Sequence, residues 1–199
     1  MYTPAHFRIE PPEQLYAAME AAPLAAVIVQ AEDGGFEANH IPVLVDRQAG
    51  VLLGHVARAN LLARLTGRSA LAVFTGPDAY VSPEWYASKA ETRRVVPTWN
   101  YLAVHAHGRF ETVDDPSFLR DLLERLTAVH EAGRPRPWSL SDAPEDFIAT
   151  QMKAVIGFRL VIERLEGKAK MSQNRSAADR AGVAEGLRQE GRSDVANYI

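Results

Sequence analysis

Three segments far apart in the chain combine polar, aromatic and small residues in a way that suits ligand binding. They are residues 54–60 (GHVARAN), 96–101 (VPTWNY) and 166–175 (EGKAKMSQNR). Each lies at or just after the end of a strand-like apolar run, where a barrel scaffold presents side chains to a ligand. We therefore interpret the three segments as parts of one binding site.

The first segment has the residue types of an anion site. Arg58 supplies a planar charged donor, and His55 and Asn60 add neutral hydrogen-bonding groups. A short helix is predicted here, and the free N–H groups of a first helical turn attract anions. The arrangement favours a phosphate group. In the alternative interpretation His55 caps a turn, Asn60 caps the helix and Arg58 is solvated, and the spacing alone does not separate the two.

Polar side chains also occur within a strand that should be buried or half-buried. Asn39 and His40 lie in the second strand of a predicted hairpin, just before Ile41 and Pro42. A buried donor without a partner costs about 1–3 kcal/mol, so these groups need partners. A ligand with several acceptors would supply them, and so would the neighbouring backbone, which satisfies most such residues.

The other two segments and their surroundings offer flat and polar surfaces. Five aromatic residues suit either stacking on a planar heterocycle or a place in the core or a dimer interface: Tyr80, Trp85, Tyr86, Trp99 and Tyr101. Asn100, between two of them, favours the ligand interpretation. A polar cluster after the last strand would close over a charged ligand or form a solvated tail: Lys168, Lys170, Ser172, Gln173 and Arg175.

Other chemistries find little support in the sequence. His105 and His107 would share one face of a strand and could reach a metal together, but the spacing places no third ligand, so we expect no metal site. Glycine-rich phosphate loops, a nucleophile elbow and a zinc-protease helix motif are all absent. We therefore assign no catalytic residue.

Composition sets broader limits on the protein. The 199 residues are 47% hydrophobic, carry a net charge of −3 and include no cysteine. The absence of cysteine excludes thiolate nucleophiles and disulfides, and it excludes metal sites with cysteine ligands. The negative net charge gives no global positive field that would attract nucleic acid or an anionic membrane. The longest apolar run, residues 23–29, is too short to span a bilayer, and the N-terminus does not resemble a leader. We expect a soluble, cytoplasmic protein.

The elements that must position these residues follow from periodicity and turn chemistry. Strands are predicted over residues 24–30, 36–45, 51–55, 70–74, 98–113 and 157–166, and helices over residues 12–21, 59–65, about 116–131, from 144 onward and about 176–190. Residues 87–95 are predicted to form a polar loop. Gly76-Pro77 should end the fourth strand, Gly167 should bend the chain, and Ser141 or Asp142 should cap the helix at 144.

The order of these elements predicts the fold class. It is mainly β with added helices (α+β), an antiparallel barrel in a single domain spanning residues 1–199. Helices are inserted at about 115–155, between the last two strands. A C-terminal helix at about 176–190, capped by Ser176 and Asp179, has a modest apolar content and is expected to pack only in part.

The chain resembles the PaiB-like family of FMN-binding negative transcriptional regulators over essentially its full length. The matching words are Met1-Tyr2 with Pro4 and His6-Phe7, then residues 39–42 (NHIP), 54–60 (GHVARAN), 76–83 (GPDAYVSP), 96–101 (VPTWNY), 104–106 (VHA), and 166–168 (EGK) continuing to 173–174 (QN). Seven words in the same order make the resemblance specific. The family is similar to the FMN-binding split-barrel superfamily.

That resemblance implies a small antiparallel barrel that forms a homodimer and holds FMN in a groove shared by both subunits. Arg58, Asn60 and His55, with Val56, would lie on the phosphate side. Asn39, His40 and Ile41 would lie against the flavin ring or its ribityl chain. The remaining residues would form walls that reach the partner's flavin: Trp99, Asn100, Tyr101, Lys168, Ser172 and Gln173.

Three functions are compatible with this interpretation. The first is a flavin-binding regulator whose output partner is DNA or a protein, with DNA implied by the family resemblance alone. No helix–turn–helix is evident, and the basic clusters at Arg93-Arg94, at Arg134 with Arg136 and at Lys168 with Lys170 are small. The second is a flavin-dependent oxidoreductase acting on a small molecule. The third is a barrel that has lost its cofactor and serves as a dimeric interaction module.

Overall fold

The computed structural model describes residues 1–199, which form eight strands and six helices. The strands are β1 (Arg8–Ile9), β2 (Leu24–Gln30), β3 (Phe36–Pro42), β4 (Leu44–Asp46), β5 (Val51–Ala57), β6 (Arg68–Val81), β7 (Thr98–Val113) and β8 (Val155–Lys170). The helices are α1 (Pro12–Ala21), α2 (Ser88–Thr92), α3 (Pro116–Glu131), α4 (Glu145–Lys153), α5 (Ala177–Gln189) and α6 (Ser193–Ala196). No helix combines the length and the apolar character needed to cross a lipid bilayer.

The strands form one antiparallel sheet in the order β3-β2-β6-β7-β8-β5-β4, and β1 pairs with the end of β8. In register, Val27 of β2 lies opposite Asn39 of β3, and His55 of β5 lies opposite Gly157 of β8. An antiparallel sheet with helices added late in the chain is the α+β class that the sequence predicted.

The chain divides into two compact units. Residues 22–74 and 106–165 form one, which we call the barrel unit, and residues 1–21, 75–105 and 166–199 form the other, the terminal unit. Whether the chain is a single domain stays a prediction.

The barrel unit is built on buried aromatic rings. Phe74, Phe110 and Phe158 are fully buried, and the rings of Phe110 and Phe158 lie 4.9 Å apart. Gly54 lies beneath the Phe158 ring, where a Cβ atom would approach the ring to 2.5 Å. The ring therefore requires glycine at this point of β5, because close-packed cores do not tolerate an added methyl group at that distance.

The connection between β3 and β4 explains how the barrel unit closes. These strands lie at opposite ends of the sheet order, yet only Val43 separates them in the chain. Val43 donates its N–H to Pro23 O at 2.9 Å, after which the chain leaves β2 and pairs with β5. The sheet must curl so that its two edges come close together, because the short segment from β3 to β4 pairs with β2 at one edge and with β5 at the other. In agreement with this, β3 contacts β5.

Helix α3 covers one face of the barrel unit. Asp115 caps it by accepting the N–H of Ser117 at 2.9 Å, and Pro116 occupies the first turn. Leu122 and Leu126 recur at helical spacing and pack with Leu53 of β5 in one buried cluster. The predicted helix over about 116–131 is confirmed. It could be predicted because both its cap and its apolar stripe are local features of the sequence.

The terminal unit has its own core, made of Val81, Tyr86, Met171, Val183, Leu187 and smaller residues. Val183 and Leu187 of α5 are fully buried. The expectation that the C-terminal helix packs only in part is therefore wrong. Its modest apolar content is concentrated at the positions that face the core.

Two glycines that were expected to interrupt strands lie within continuous ones. β6 runs through Gly76-Pro77 to Val81, and β8 runs through Gly167 to Lys170. A Cβ atom on Gly76 would meet the Leu102 side chain at 2.8 Å, and one on Gly167 would meet Leu15 at 2.1 Å. Both glycines allow close packing against a neighbouring side chain. In the sequence alone, a glycine needed for close packing cannot be distinguished from one that makes a turn.

Several boundaries also differ from the prediction. The strand predicted at 36–45 is two strands, the helix predicted at 59–65 is a single 3₁₀ turn (Leu61–Arg64), and the loop predicted at 87–95 contains α2. Pro144 precedes α4, whereas Asp142 forms a capping box with Ser139 around the 3₁₀ turn Leu140–Asp142. Cap residues a few positions apart compete, and local sequence does not decide between them.

Candidate functional site

A hydrogen-bonded pair of asparagines brings two of the predicted motifs together in the barrel unit. Asn60 Nδ2 donates to Asn39 Oδ1 at 2.8 Å, and Asn60 Oδ1 accepts the N–H of Leu62 at 2.9 Å. Asn39 Nδ2 in turn donates to Glu37 Oε1 at 3.1 Å. Asn60 thus caps the 3₁₀ turn, as the alternative interpretation held, and its amide also fixes the side chain of Asn39.

His55 carries an unsatisfied polar atom in the same unit. Its side chain is half-buried on β5, and its Nδ1 is buried with no hydrogen-bond partner. Burial lowers the pKa of His55 below its ordinary 6.5, so the imidazole is neutral at physiological pH. A neutral imidazole with an unpartnered ring nitrogen can accept a hydroxyl hydrogen or donate to an oxygen, depending on its tautomer.

The hydrophobic members of the predicted site have different surroundings. Val56 and Ile41 are buried in the barrel unit, while His40 is exposed on β3. The buried pair forms part of the unit's core, and period-2 alternation along each strand sends their polar neighbours to the opposite face.

Arg58, which the sequence presented as a cation for phosphate, is paired. Its Nη1 and Nη2 donate to the two carboxylate oxygens of Asp114, and its Nε donates to Lys153 O at 3.0 Å. Asp114 raises the pKa of Arg58, and Arg58 lowers the pKa of Asp114, chiefly through these hydrogen bonds. Because a guanidinium has five N–H groups, two remain for a ligand oxygen.

Beside Arg58 the barrel unit contains a cavity of about 470 Å³ between α3 and α4. Its walls include Leu119, Met152 and Ile156. Its charged lining residues are three cations and three carboxylates: Arg58, Arg120 and Lys153, with Asp114, Asp115 and Glu145. This balance does not favour a dianionic phosphate inside the cavity, so any phosphate contact of Arg58 belongs on its solvent side.

The terminal unit contains the remaining predicted residues. Asn100 Nδ2 donates to Ser172 Oγ at 3.1 Å, and both side chains are buried. Lys168 Nζ lies 5.2 Å from the centre of the Tyr101 ring and donates to Tyr2 O at 3.2 Å. These contacts join strands β7 and β8 into one polar and aromatic cluster.

Two members of that segment have different roles. Trp99 is 53% exposed, with its ring edge-on to Tyr80 at 6.2 Å. Gln173 closes a turn by donating to Ala169 O at 2.6 Å and accepting the N–H of Met171 at 2.7 Å. Gln173 therefore stabilises the backbone after β8, whereas the ring of Trp99 is exposed on the surface of the terminal unit.

The structure thus collects the predicted residues into two groups. The barrel unit holds Asn39, His40, Ile41, His55, Val56, Arg58 and Asn60, and the terminal unit holds Trp99, Asn100, Tyr101, Lys168, Ser172 and Gln173. The sequence missed Asp114, which forms a hydrogen-bonded ion pair with Arg58 across 56 positions of the chain. No local signal could have found it, because Arg58 follows β5 and Asp114 follows β7, and only the fold brings the ends of these two strands, on either side of β8, close enough for an ion pair.

A carboxylate also lies near one of the histidines considered for metal binding. In the terminal unit, ligand atoms of His105 and Glu166 lie within 4.8 Å of each other. Glu166 Oε2 accepts a hydrogen bond from the Met1 amino group at 2.8 Å. This carboxylate is therefore already engaged in an ion pair.

The fold belongs to the class of antiparallel α+β split barrels. Two solved structures are similar in fold. The flavocytochrome Anf3 from Azotobacter vinelandii has a TM-score of 0.63 and 18% identity, and the match covers 88% of this chain and 75% of that one. The FAD and heme binding protein from Mycobacterium smegmatis has a TM-score of 0.61 and 19% identity, and the match covers 90% of this chain and 80% of that one. At this level of identity the likeness establishes the fold alone.

The chain belongs to the family described as "Putative FMN-binding domain", whose model matches residues 1–164. It is 29% identical to the protease synthase and sporulation protein PAI 2 of Bacillus subtilis, over 96% of this chain and 90% of that protein. It is 35% identical to an uncharacterized protein of Aspergillus fumigatus, over 78% of this chain and 77% of that protein. The family match confirms the resemblance found in the sequence and identifies FMN as the cofactor.

The donor set of the barrel-unit cluster fits this cofactor. FMN joins a phosphate to a flat ring system through a chain of hydroxyl groups, so it needs a cation, amides and hydrogen-bond acceptors along one line. Arg58 has N–H groups left over, Asn39 and Asn60 are fixed by their mutual hydrogen bond, and the His55 Nδ1 lacks a partner. When bound, FMN supplies the redox chemistry of its ring.

Proposed function

We propose that this chain is an FMN-binding protein of the PaiB type in which the barrel-unit cluster holds the cofactor. Arg58 and Asn60 bind the phosphate, while Asn39 and Ile41 lie against the ribityl chain or the ring. The observation that carries the proposal is the hydrogen bond between Asn60 and Asn39, which joins two separately predicted motifs. A pre-formed amide pair supports binding because the ligand need not order it.

The unsatisfied atom of His55 supports the same assignment. A buried polar atom without a partner costs free energy, and a ligand that supplies the partner recovers it. A ribityl hydroxyl group has this chemistry, since it can both donate and accept. His55 therefore belongs between the phosphate and the ring, with Val56 packing behind it in the core.

The second part of the proposal is a dimer groove. Trp99 and Tyr80 expose apolar rings in the terminal unit, and aromatic residues are enriched at interfaces between subunits. We infer that a second copy of the chain covers this surface. Trp99, Asn100, Tyr101, Lys168, Ser172 and Gln173 stay predicted wall residues of the partner's flavin site.

The output of flavin binding is proposed to be regulatory, as in the family that the sequence resembles. The alternative is a flavin-dependent oxidoreductase acting on a small molecule. Binding to one promoter fragment that depends on salt and persists over competitor DNA would favour the regulator. Bleaching of the flavin by NADH or NADPH under turnover would favour the oxidoreductase.

The cofactor assignment is tested by the Arg58→Ala variant. Without the guanidinium we expect the affinity for FMN to fall by about tenfold, the usual effect of losing one strong contact. The affinity for riboflavin, which lacks the phosphate, should change little. Fluorescence quenching titrations of both flavins on the dialysed protein measure the difference.

The matched control is Arg134→Ala. Arg134 is an exposed arginine in the same unit that pairs with Glu131 at 3.1 Å, far from the cluster in sequence. It should bind both flavins like the wild type. Equal FMN affinities in the Arg58→Ala variant and this control would contradict the phosphate assignment.

A further inference from the structure

The terminal unit contains a small polar cavity of about 150 Å³ to which the proposed function assigns no ligand group, although two of its lining residues, Asn100 and Ser172, are predicted wall residues of the flavin site. Lys170 and Arg175 line it together with Asn100, Ser172 and Tyr86. Cavities that enclose a whole small molecule usually have roughly 300–1,000 Å³, so this one suits a single chemical group. Its lining residues indicate which group that is.

The two cations of the cavity lack a counter-ion. Neither Lys170 nor Arg175 forms an ion pair with a carboxylate: Lys170 Nζ donates to Trp99 O at 2.6 Å and to Thr98 Oγ1, and the Arg175 guanidinium stacks 4.7 Å from the centre of the Tyr86 ring. Burial, with the charges of Lys168 and Arg175, lowers the pKa of Lys170. The positive charge at this place is thus concentrated and only partly solvated.

One acidic group that interacts with Arg175 is hydrogen-bonded to another element. Asp179 feels the charge of Arg175, but its two oxygens accept the backbone N–H of Ser88 at 2.9 Å and the Ser88 hydroxyl at 3.0 Å. It therefore fixes the start of α2, and it offsets part of the charge of Arg175 without forming an ion pair with either cation of the cavity. An anion entering the cavity would supply the missing charge.

Tyr86 provides a second, independent observation. Its side chain is only 2% exposed, and its hydroxyl is buried without a hydrogen-bond partner. Buried hydroxyl groups are nearly always satisfied in native proteins, so an unsatisfied one beside a polar cavity indicates a missing acceptor. An oxygen of a bound group would be that acceptor.

Two further residues that line the cavity, Ser172 and Asn100, are held in a fixed conformation. Ser172 adopts a φ of +64°, which costs free energy for any residue with a Cβ atom, and its hydroxyl is bonded to the buried amide of Asn100. Backbone strain of this kind often occurs at functional sites.

We propose that this cavity binds an oxyanion, a carboxylate or phosphate group, between Lys170, Arg175 and the hydroxyl of Tyr86. The site is separate from the phosphate position assigned to Arg58, which lies in the barrel unit. The group belongs either to a second small ligand or to the phosphate of FMN, and in the second case this site replaces Arg58 and Asn60 as the phosphate site. Both sources present the same oxygens to the same donors, and experiment distinguishes them.

Two substitutions test the site in the full chain. Tyr86→Phe keeps the ring and its packing and removes only the hydroxyl, so it should fold. Lys170→Met removes the charge and keeps much of the length of the side chain. Titration calorimetry with inorganic phosphate and with acetate should give binding to the wild type that weakens about tenfold in each variant. Lys89→Met, at an exposed lysine of the same unit that pairs with Glu84, is the matched control and should bind like the wild type.

A flavin arm identifies the source of the oxyanion. The group is the flavin phosphate if two results occur together. Neither small anion binds the wild type, and both variants lose the preference for FMN over riboflavin while the Arg58→Ala variant retains it. If small-anion binding is lost while the flavin preference remains, the group belongs to a second ligand. Insensitivity of phosphate, acetate and the flavin preference to both substitutions would overturn the proposal. The small-anion arm needs no flavin, so its result is independent of the cofactor assignment.

Discussion

Single side chains of the barrel-unit cluster differ in how many of their hydrogen-bonding groups are already used. Asn60 and Asn39 bond to each other, Arg58 keeps two N–H groups beyond its pair with Asp114, and His55 has a buried nitrogen with no partner. Groups with remaining capacity are the ones that a ligand can engage, because bonded groups must first break a contact. His55 and Arg58 are therefore the residues on which flavin binding should depend most.

The buried state of His55 predicts a dependence of stability on pH. Its pKa is lowered in the folded protein, whereas in the unfolded chain it lies near 6.5. As the pH falls through that value, the unfolded chain takes up a proton that the folded protein does not, so the free energy of unfolding decreases. Above it, His55 is neutral in both states and contributes no pH dependence.

We expect His55→Gln to reduce the loss of stability between pH 7.5 and pH 5.5, a range chosen to lie about one unit either side of the ordinary histidine value. Urea unfolding at several pH values measures this. His40→Gln, at an exposed histidine of the neighbouring motif, is the control and should leave the pH profile unchanged. A wild-type profile in the His55→Gln protein would show that burial does not control this side chain.

At the level of elements, helix α5 lies beyond the residues that the family match includes, as do the end of β8 and helix α6. The match ends at residue 164, yet α5 contributes fully buried side chains to the core of the terminal unit. Its Gly182 and Gly186, one helical turn apart, lie against Trp85. Added Cβ atoms would come within 2.0 Å of Trp85 O and 2.4 Å of its ring. Close approach to Trp85 thus explains two glycines inside a helix.

Gly186→Ala should therefore destabilise the protein although alanine is the better helix former by roughly 0.5–1 kcal/mol. Overpacking against the indole typically costs about 1–3 kcal/mol, which exceeds the gain in propensity. Thermal or urea unfolding gives the sign directly. Ala181→Gly, at an exposed position of the same helix, calibrates propensity alone. A more stable Gly186→Ala protein would mean that α5 does not pack on Trp85 as described.

For the whole molecule, the main prediction is self-association. The exposed ring of Trp99, which is edge-on to that of Tyr80, lines a shallow cavity of about 290 Å³ in the terminal unit together with Gly76 and Leu102. A specific interface buries about 800 Å² on each partner, and aromatic anchors at its centre contribute most of the binding energy. A second copy is the partner that the resemblance implies for this surface.

We expect a dimer in sedimentation velocity experiments at micromolar concentration. Trp99→Glu should shift the distribution towards monomer, because a charge at the centre of an apolar interface loses its hydration. Trp138→Glu alters a tryptophan of similar exposure, 45% against 53%, in the barrel unit and should remain a dimer. A wild-type protein that sediments as a monomer with flavin bound would contradict the shared groove.

Much of the fold followed from local sequence features. The alternation along β7 places the buried residues Asn100, Leu102 and Val104 on one face of the strand, and the cap and apolar stripe of α3 define the bounds of that helix. These signals act between residues a few positions apart. The errors at Gly76 and Gly167 arose because a glycine required by a distant neighbour has the same local appearance as one that makes a turn.

In the candidate site, too, local features could be predicted from the sequence and contacts between distant residues could not. The sequence by itself determined the types of chemistry, an anion cradle with amides and flat rings, and the motifs that define the family. Only the tertiary structure decided which charges are already paired: Arg58 meets Asp114 across 56 positions, whereas Lys170 reaches Thr98 across 72 without meeting a carboxylate. Pairing depends on which distant strand ends become neighbours, and that is fixed by sheet register and barrel closure, not by residues adjacent in the chain.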